Sequence, residues 1–229
     1  MFTVSNLASG YGTSVVIPDL SMTAGKNEIV AVLGRNGMGK TTLFKSLIGV
    51  LPARKGSLRV DDVDVTHMES HQRVAQGVAY VPQGRMVFPT LTVEENIRTG
   101  LRLKRRDDVP EELYSLFPVL FDMRRRKAGN LSGGQQQQLV IARALATEPK
   151  VLLLDEPTEG IQPSIIKDIA KSLKEIRKLR NLTILVSEQV LSFAMEVADR
   201  LMVIDKGRLI YEDTRERVDS KKIAGYLAV

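Results

Sequence analysis

Glu28-Ile29-Val30-Ala31-Val32-Leu33-Gly34-Arg35-Asn36-Gly37-Met38-Gly39-Lys40-Thr41-Thr42-Leu43-Phe44-Lys45-Ser46-Leu47-Ile48 reads as an apolar strand, a glycine loop and a helix in direct succession. The five-residue apolar run suits a strand buried on both faces, and the helix signal begins immediately after the glycines. A loop of this kind lets backbone N–H groups wrap phosphate oxygens. Lys40 then reaches the β- and γ-oxygens, and the Thr41 hydroxyl supplies a hard oxygen for Mg²⁺. A plain glycine-rich turn would need neither the lysine nor the threonine. The expected fold is therefore an α/β nucleotide-binding core.

A second glycine element lies about a hundred residues on, Asn130-Leu131-Ser132-Gly133-Gly134-Gln135. Ser132 reads as an N-cap for the helical run Gln135 to Leu145. A capped helix start is an anion site, because free N–H groups and the helix dipole point at the ligand. One chain thus carries two phosphate-binding helix ends. Either they share a nucleotide within the fold, or each completes the other's site across a dimer. Downstream, Val151-Leu152-Leu153-Leu154 fits a buried parallel strand, from whose C-terminal edge Asp155 and Glu156 emerge. Asp155 is expected to hold Mg²⁺ and Glu156 to orient or deprotonate the attacking water. The competing reading is that both acids cap the following helix.

On these motifs the chain resembles the ATP-binding subunits of ABC (ATP-binding cassette) transporters, over essentially its full length. Leu131, Ser132, Gly133, Gly134 and Gln135 match that family's signature motif. The resemblance implies ATP and Mg²⁺ as cofactors, held by Gly34 through Thr42 and by the signature. Gln83, in Tyr80-Val81-Pro82-Gln83-Gly84, matches the glutamine that contacts Mg²⁺ and the membrane partner. Tyr11 matches the aromatic that stacks on adenine; from the residue alone, core packing is the commoner role. Gln189 stands where most members carry a switch histidine. It can donate to a γ-phosphate oxygen but carries no titrating proton. Gly160-Ile161-Gln162-Pro163 replaces a loop that usually bears an aspartate, and Gln138 replaces a common arginine. Gln189 and the change at 160–163 are similar to those of the branched-chain amino acid and urea/amide importers, and Arg35, Gln83 and Gln162-Pro163 look more like the urea type. A second ATP-binding subunit in a head-to-tail dimer, permease subunits in the membrane and, indirectly, a solute-binding protein are the partners this implies.

Composition agrees with that reading. The 229 residues, 43% hydrophobic, are enough for one domain with a subdomain. Apolar runs of about five residues are far short of the ~20 that span a bilayer. With no leader pattern and no cysteine, the expected location is cytoplasmic, on the inner face of the membrane. His67 and His71 could share a helix face, but two ligands without a third make a poor zinc site. The net charge of +6 includes Lys104-Arg105-Arg106 and Arg124-Arg125-Arg126-Lys127. Neither cluster is interleaved with aromatics, so a solvated or bilayer-facing surface is expected rather than nucleic-acid binding.

Strand signals fall near 3–7, 28–33, 57–61, 77–81, 151–154, 183–187 and 201–204, with Lys206-Gly207 turning into Arg208-Leu209-Ile210-Tyr211. Helix signals at 93–103, 110–121 and 133–146 fill the stretch between. The expected architecture is a P-loop core over 1–91 and 148–229, with a helical signature subdomain inserted at 92–147 and a small antiparallel β region at the N-terminus. A signature carried on a separate arm cannot easily fold back on its own phosphate loop, which favours the dimer. Two other readings stay open: an ATP-switched interaction subunit that hydrolyses little, and an ABC-type ATPase acting on nucleic acid. No Asn-Lys-x-Asp motif supports a GTPase.

Overall fold

The computed structural model describes residues 1–101 and 108–228. Its centre is a six-stranded sheet. β3 (Ile29–Leu33), β6 (Val78–Val81), β7 (Val151–Asp155), β8 (Thr183–Glu188) and β9 (Arg200–Asp205) run parallel, and β10 (Arg208–Thr214) closes one edge antiparallel, in the order β10-β9-β3-β8-β7-β6. The β9–β10 turn follows from Lys206 and Gly207, both at positive φ (46° and 74°), as a two-residue hairpin requires.

The apolar run of β3 is continuous because both its faces are covered. Ile29, Ala31 and Leu33 join a core shared with the helical segment. Val30 and Val32 join a second core beneath α1 (Lys40–Ile48) and a smaller antiparallel sheet. That smaller sheet has the order β2-β1-β4-β5, from β1 (Phe2–Tyr11), β2 (Ser14–Ala24), β4 (Lys55–Val60) and β5 (Val63–Asp64). β2 gives no clear strand signal because Pro18 interrupts it. Pro is tolerated there because β2 is an edge strand whose pairing to β1 shifts register close by.

α3 (Val93–Leu101), α4 (Glu111–Leu116), α5 (Pro118–Asp122) and α6 (Gly133–Leu145) lie between β6 and β7. The single helix expected over 110–121 is broken at Phe117 (φ −133°, ψ 73°), because Pro118 drives the residue before it out of the helical region. The end of the 93–103 helix and the Lys104-Arg105-Arg106 cluster lie outside the described residues. α2 (Ser70–Ala75) begins after His67, so His67 and His71 share no helix face. α7 (Pro163–Arg180), α8 (Leu191–Val197) and α9 (Ser220–Leu227) complete the chain. No described helix is long and apolar enough to cross a membrane.

Candidate nucleotide site

The phosphate loop runs from the C-terminal end of β3 into α1, where open α/β sheets bind ligands. Two glycines set its path. A side chain at Gly34 would lie 2.7 Å from the Ile204 carbonyl oxygen, and Gly39 has φ +103°. Lys40 is 4% exposed, and its ammonium donates to the carbonyls of Gly34 (2.7 Å) and Arg35 (3.0 Å). It also pairs with Glu156 at 3.0 Å. Asn36, Gly37, Gly39, Lys40, Thr41, Thr42, Gln83 and Glu156 line one cavity of about 220 Å³. The Met38 carbonyl accepts from Gly207 N–H, and the Arg35 guanidinium is turned away, donating to the Ala228 carbonyl at 3.3 Å.

Asp155 is the last residue of β7, 1% exposed. Its Oδ1 accepts from Ser187 Oγ (2.6 Å) and Thr41 Oγ1 (3.4 Å), and its Oδ2 from the Tyr80 hydroxyl (3.2 Å). Burial pushes this carboxyl above the ordinary range, and the three hydroxyl donors oppose the shift. Burial, then the Asp155 charge, pushes the Tyr80 phenol up as well. One carboxylate and one hydroxyl make a hard-oxygen pair that suits Mg²⁺, which takes few protein ligands and completes its shell from phosphates and water. Among the described residues no group of three or more His, Cys, Asp or Glu is arranged to hold a metal. Of the three residues expected at the ion, Thr41 and Asp155 are joined by a hydrogen bond, whereas the Gln83 amide is engaged with Glu156 and Glu159.

Glu156 has left-handed backbone geometry (φ 48°), held by N–H donation to both the carbonyl and the hydroxyl of Ser187, each at 3.1 Å. Neither acid caps the next helix, since α7 begins only at Pro163. Gln189 donates to Glu156 Oε1 (3.0 Å) and to Asn36 Oδ1 (2.8 Å). Gln83 donates to Glu156 Oε2 (3.3 Å) and to Glu159 (2.9 Å). Tyr11 ends β1, is 46% exposed and has the Lys45 ammonium of α1 6.0 Å from its ring centre. It is not a core aromatic.

The signature stands apart. Ser132 Oγ accepts from Gln135 N–H (3.3 Å) while Gln135 Oε1 accepts from Ser132 N–H (2.9 Å), a reciprocal cap at the start of α6. Leu131 is 6% exposed and sits in the core, so its side chain is unavailable to a nucleotide. Ser132, Gly133, Gly134 and Gln135 line a cavity of about 440 Å³ with Arg85, Gln138, Gly160 and Gln162. That cavity shares no residue with the one at the phosphate loop. Gln138 is buried, with its Oε1 unpaired.

Sequence reasoning missed Tyr80, Ser187, Glu188 and Glu159. A larger cavity, about 890 Å³, lies at the other end of the strands, bordered by Lys26, Asp61, Lys150, Arg180 and Thr183. Also outside the pocket, Met86 (64%) and Phe88 (47%) are exposed. Arg143 of α6 donates to the Met86 carbonyl (2.6 Å) and lies 4.9 Å over the Phe88 ring, while Asn96 of α3 hydrogen-bonds the Phe88 N–H and carbonyl.

A family model described as ABC transporter matches residues 17–159. The chain is 37% identical to a high-affinity branched-chain amino acid transport ATP-binding protein, BraG of Pseudomonas aeruginosa, over 93% of both chains. It is 35% identical to the lipopolysaccharide export system ATP-binding protein LptB of Haemophilus influenzae, over 95% of this chain and 92% of that one. Among solved structures it superposes on a nucleotide-free ATP-binding cassette from an ABC transporter with TM-score 0.84 and 26% identity, covering 99% of this chain and 94% of that one. The chain belongs to the ABC transporter family, as an ATP-binding subunit that hydrolyses ATP with Mg²⁺.

Proposed function

We propose that this ATPase powers the uptake of a small polar solute, of the branched-chain amino acid or urea/amide class, through membrane-embedded permease subunits. The solute class is supported by Glu159-Gly160-Ile161-Gln162-Pro163 and Val81-Pro82-Gln83-Gly84-Arg85 and by the similarity to BraG. The similarity to LptB supports a second reading, an export partner of lipid character. Purifying the subunit from its native membrane with its permeases, and testing which solute or lipid accelerates ATP hydrolysis, separates the two.

One observation carries the mechanism: the two phosphate-binding helix ends line separate cavities in one chain. In this reading each ATP lies between the phosphate loop of one subunit and the signature of another. Lys40 and the loop N–H groups hold its phosphates. Thr41, Asp155 and Gln83 would hold Mg²⁺, which when bound would neutralise phosphate charge. Glu156 takes the proton of the attacking water, and Gln189 donates to the γ-phosphate. Lys40 exchanges Glu156 and its backbone acceptors for phosphate oxygens, freeing the carboxylate as a base. Tyr11 stacks on the adenine.

Glu156→Gln protein should go from monomer to dimer on adding ATP, as read by light scattering. Ser132→Arg should abolish the dimer while each chain still binds ATP. A persistent monomer at micromolar concentration defeats the shared site. For the membrane face, Phe88→Asp should fold normally but no longer co-purify with permease subunits. An intact complex in that variant moves the interface off Met86–Phe88.

A further inference from the structure

Glu188 has no place in the chemistry derived so far, yet it is 2% exposed and sits where three loops meet. It is the last residue of β8 and lies opposite Leu33 of β3. Its carbonyl accepts from Gly34 N–H at 3.3 Å, at the mouth of the phosphate loop. Its carboxylate is divided between the other two loops. Oε1 accepts from Thr158 N–H (3.1 Å) and Thr158 Oγ1 (2.8 Å), two residues beyond Glu156. Oε2 accepts from Gln189 N–H (3.1 Å) and Val190 N–H (3.4 Å). Among the described residues no cation pairs with it, so hydrogen bonds alone compensate the buried group. Such a carboxylate bridges two segments that a shorter hydroxyl side chain could not both reach.

We propose that Glu188 is a positioning residue of the hydrolytic site, pinning the Glu156 loop to the Gln189 loop and so setting the Glu156–Gln189 contact. The inference rests on the reading above, in which Glu156 and Gln189 act on water and γ-phosphate. Packing alone would not require that each carboxylate oxygen serve a different catalytic loop. In Glu188→Gln, one oxygen still accepts from Thr158, but the amide nitrogen turns a donor toward the Gln189 and Val190 N–H groups. The Gln189 side is released. Glu188→Asp keeps the charge and is one methylene too short to span both loops.

The test is a double-mutant cycle of Glu188→Gln with Gln189→Ala, read as kcat, KM and calorimetric ATP affinity, with thermal melts as the control. Glu188→Gln and Glu188→Asp should each lower kcat about tenfold or more while ATP affinity stays within about twofold, since hydrogen bonds at a charged group are at stake. The double variant should be no slower than Gln189→Ala alone. Parental turnover in Glu188→Gln, or full rescue by Asp, overturns the pin and leaves the role of Gln189 standing. An equal fall in both backgrounds also overturns it, marking the carboxylate as support for the fold only. Parental turnover in Gln189→Ala refutes the role given to Gln189, and the pin falls with it.

Discussion

Replacing Glu156 with glutamine removes one charge from a side chain that is 8% exposed and has three close donors. The amide oxygen can keep the Lys40 ammonium and the Gln189 amide, both at 3.0 Å. The amide nitrogen then faces Gln83 Nε2, which stood 3.3 Å from a carboxylate oxygen. That misfit costs about 1 kcal/mol, the net worth of one hydrogen bond, and Gln83 retains Glu159. The chemical loss is larger. A positioned general base contributes roughly 10²–10⁴-fold, or about 3–5 kcal/mol at 1.36 kcal/mol per tenfold. Release of Lys40 from its ion pair leaves that ammonium for the phosphates, so ATP affinity should hold or rise. Turnover by phosphate release should fall by that factor, while calorimetric titration shows parental or tighter ATP binding. Hydrolysis at the parental rate would falsify the water-positioning role. Equal losses of affinity and turnover would refute it too, by reducing Glu156 to a structural partner of Lys40.

Two further outcomes follow from the same geometry. Tyr11→Ala should weaken ATP binding by about 1–3 kcal/mol, the range for base–aromatic stacking, with little change in melting temperature because the ring is exposed; unchanged affinity in calorimetry places the adenine elsewhere. The Asp155 carboxyl is raised by burial, so between its ordinary and its folded value the native state binds more protons than the unfolded chain. This group's contribution to stability therefore grows as pH falls through that window and is a net cost above it. Asp155→Asn, which can keep all three hydroxyl partners once Tyr80 rotates, should melt higher than the parent at neutral pH in the absence of Mg²⁺. The gap should narrow on acidification, and a gap that widens in acid contradicts the burial argument.

The features legible in advance are those written in consecutive residues. The glycine loop between β3 and α1, the reciprocal cap of Ser132 and Gln135, and the Lys206-Gly207 hairpin turn each need only neighbours in the chain. Asp155 and Glu156 were placed at a strand end by the apolar run before them, off by the single residue that β7 extends. What the sequence hid lies across strands. Tyr80 reaches Asp155 from β6, and Ser187 and Glu188 reach Asp155 and Thr158 from β8, 30 residues or more away in the chain. No local pattern marks such a partner, because a tyrosine or serine at the end of an apolar run is ordinary. β2 was hidden for a different reason, a proline that an edge position tolerates. Nor does a motif say where its side chains go: Leu131 packs into the core, and the Arg35 guanidinium donates to the Ala228 carbonyl beside α9.

Arg143 gives the molecule a mechanical property. Through one guanidinium it fastens the exposed Met86–Phe88 segment to α6, the rod whose far end begins at Ser132. Thirteen helical residues at about 1.5 Å each make a lever of roughly 20 Å. Its flank is seated against α3, which grips Phe88 through Asn96. A load applied at Phe88 would meet α6 through the Arg143 guanidinium and α3 through Asn96, so both helices stand between that segment and the capped end. Removing the Arg143 side chain would cut the direct tie between that segment and α6 and leave the path through α3 and Asn96 in place.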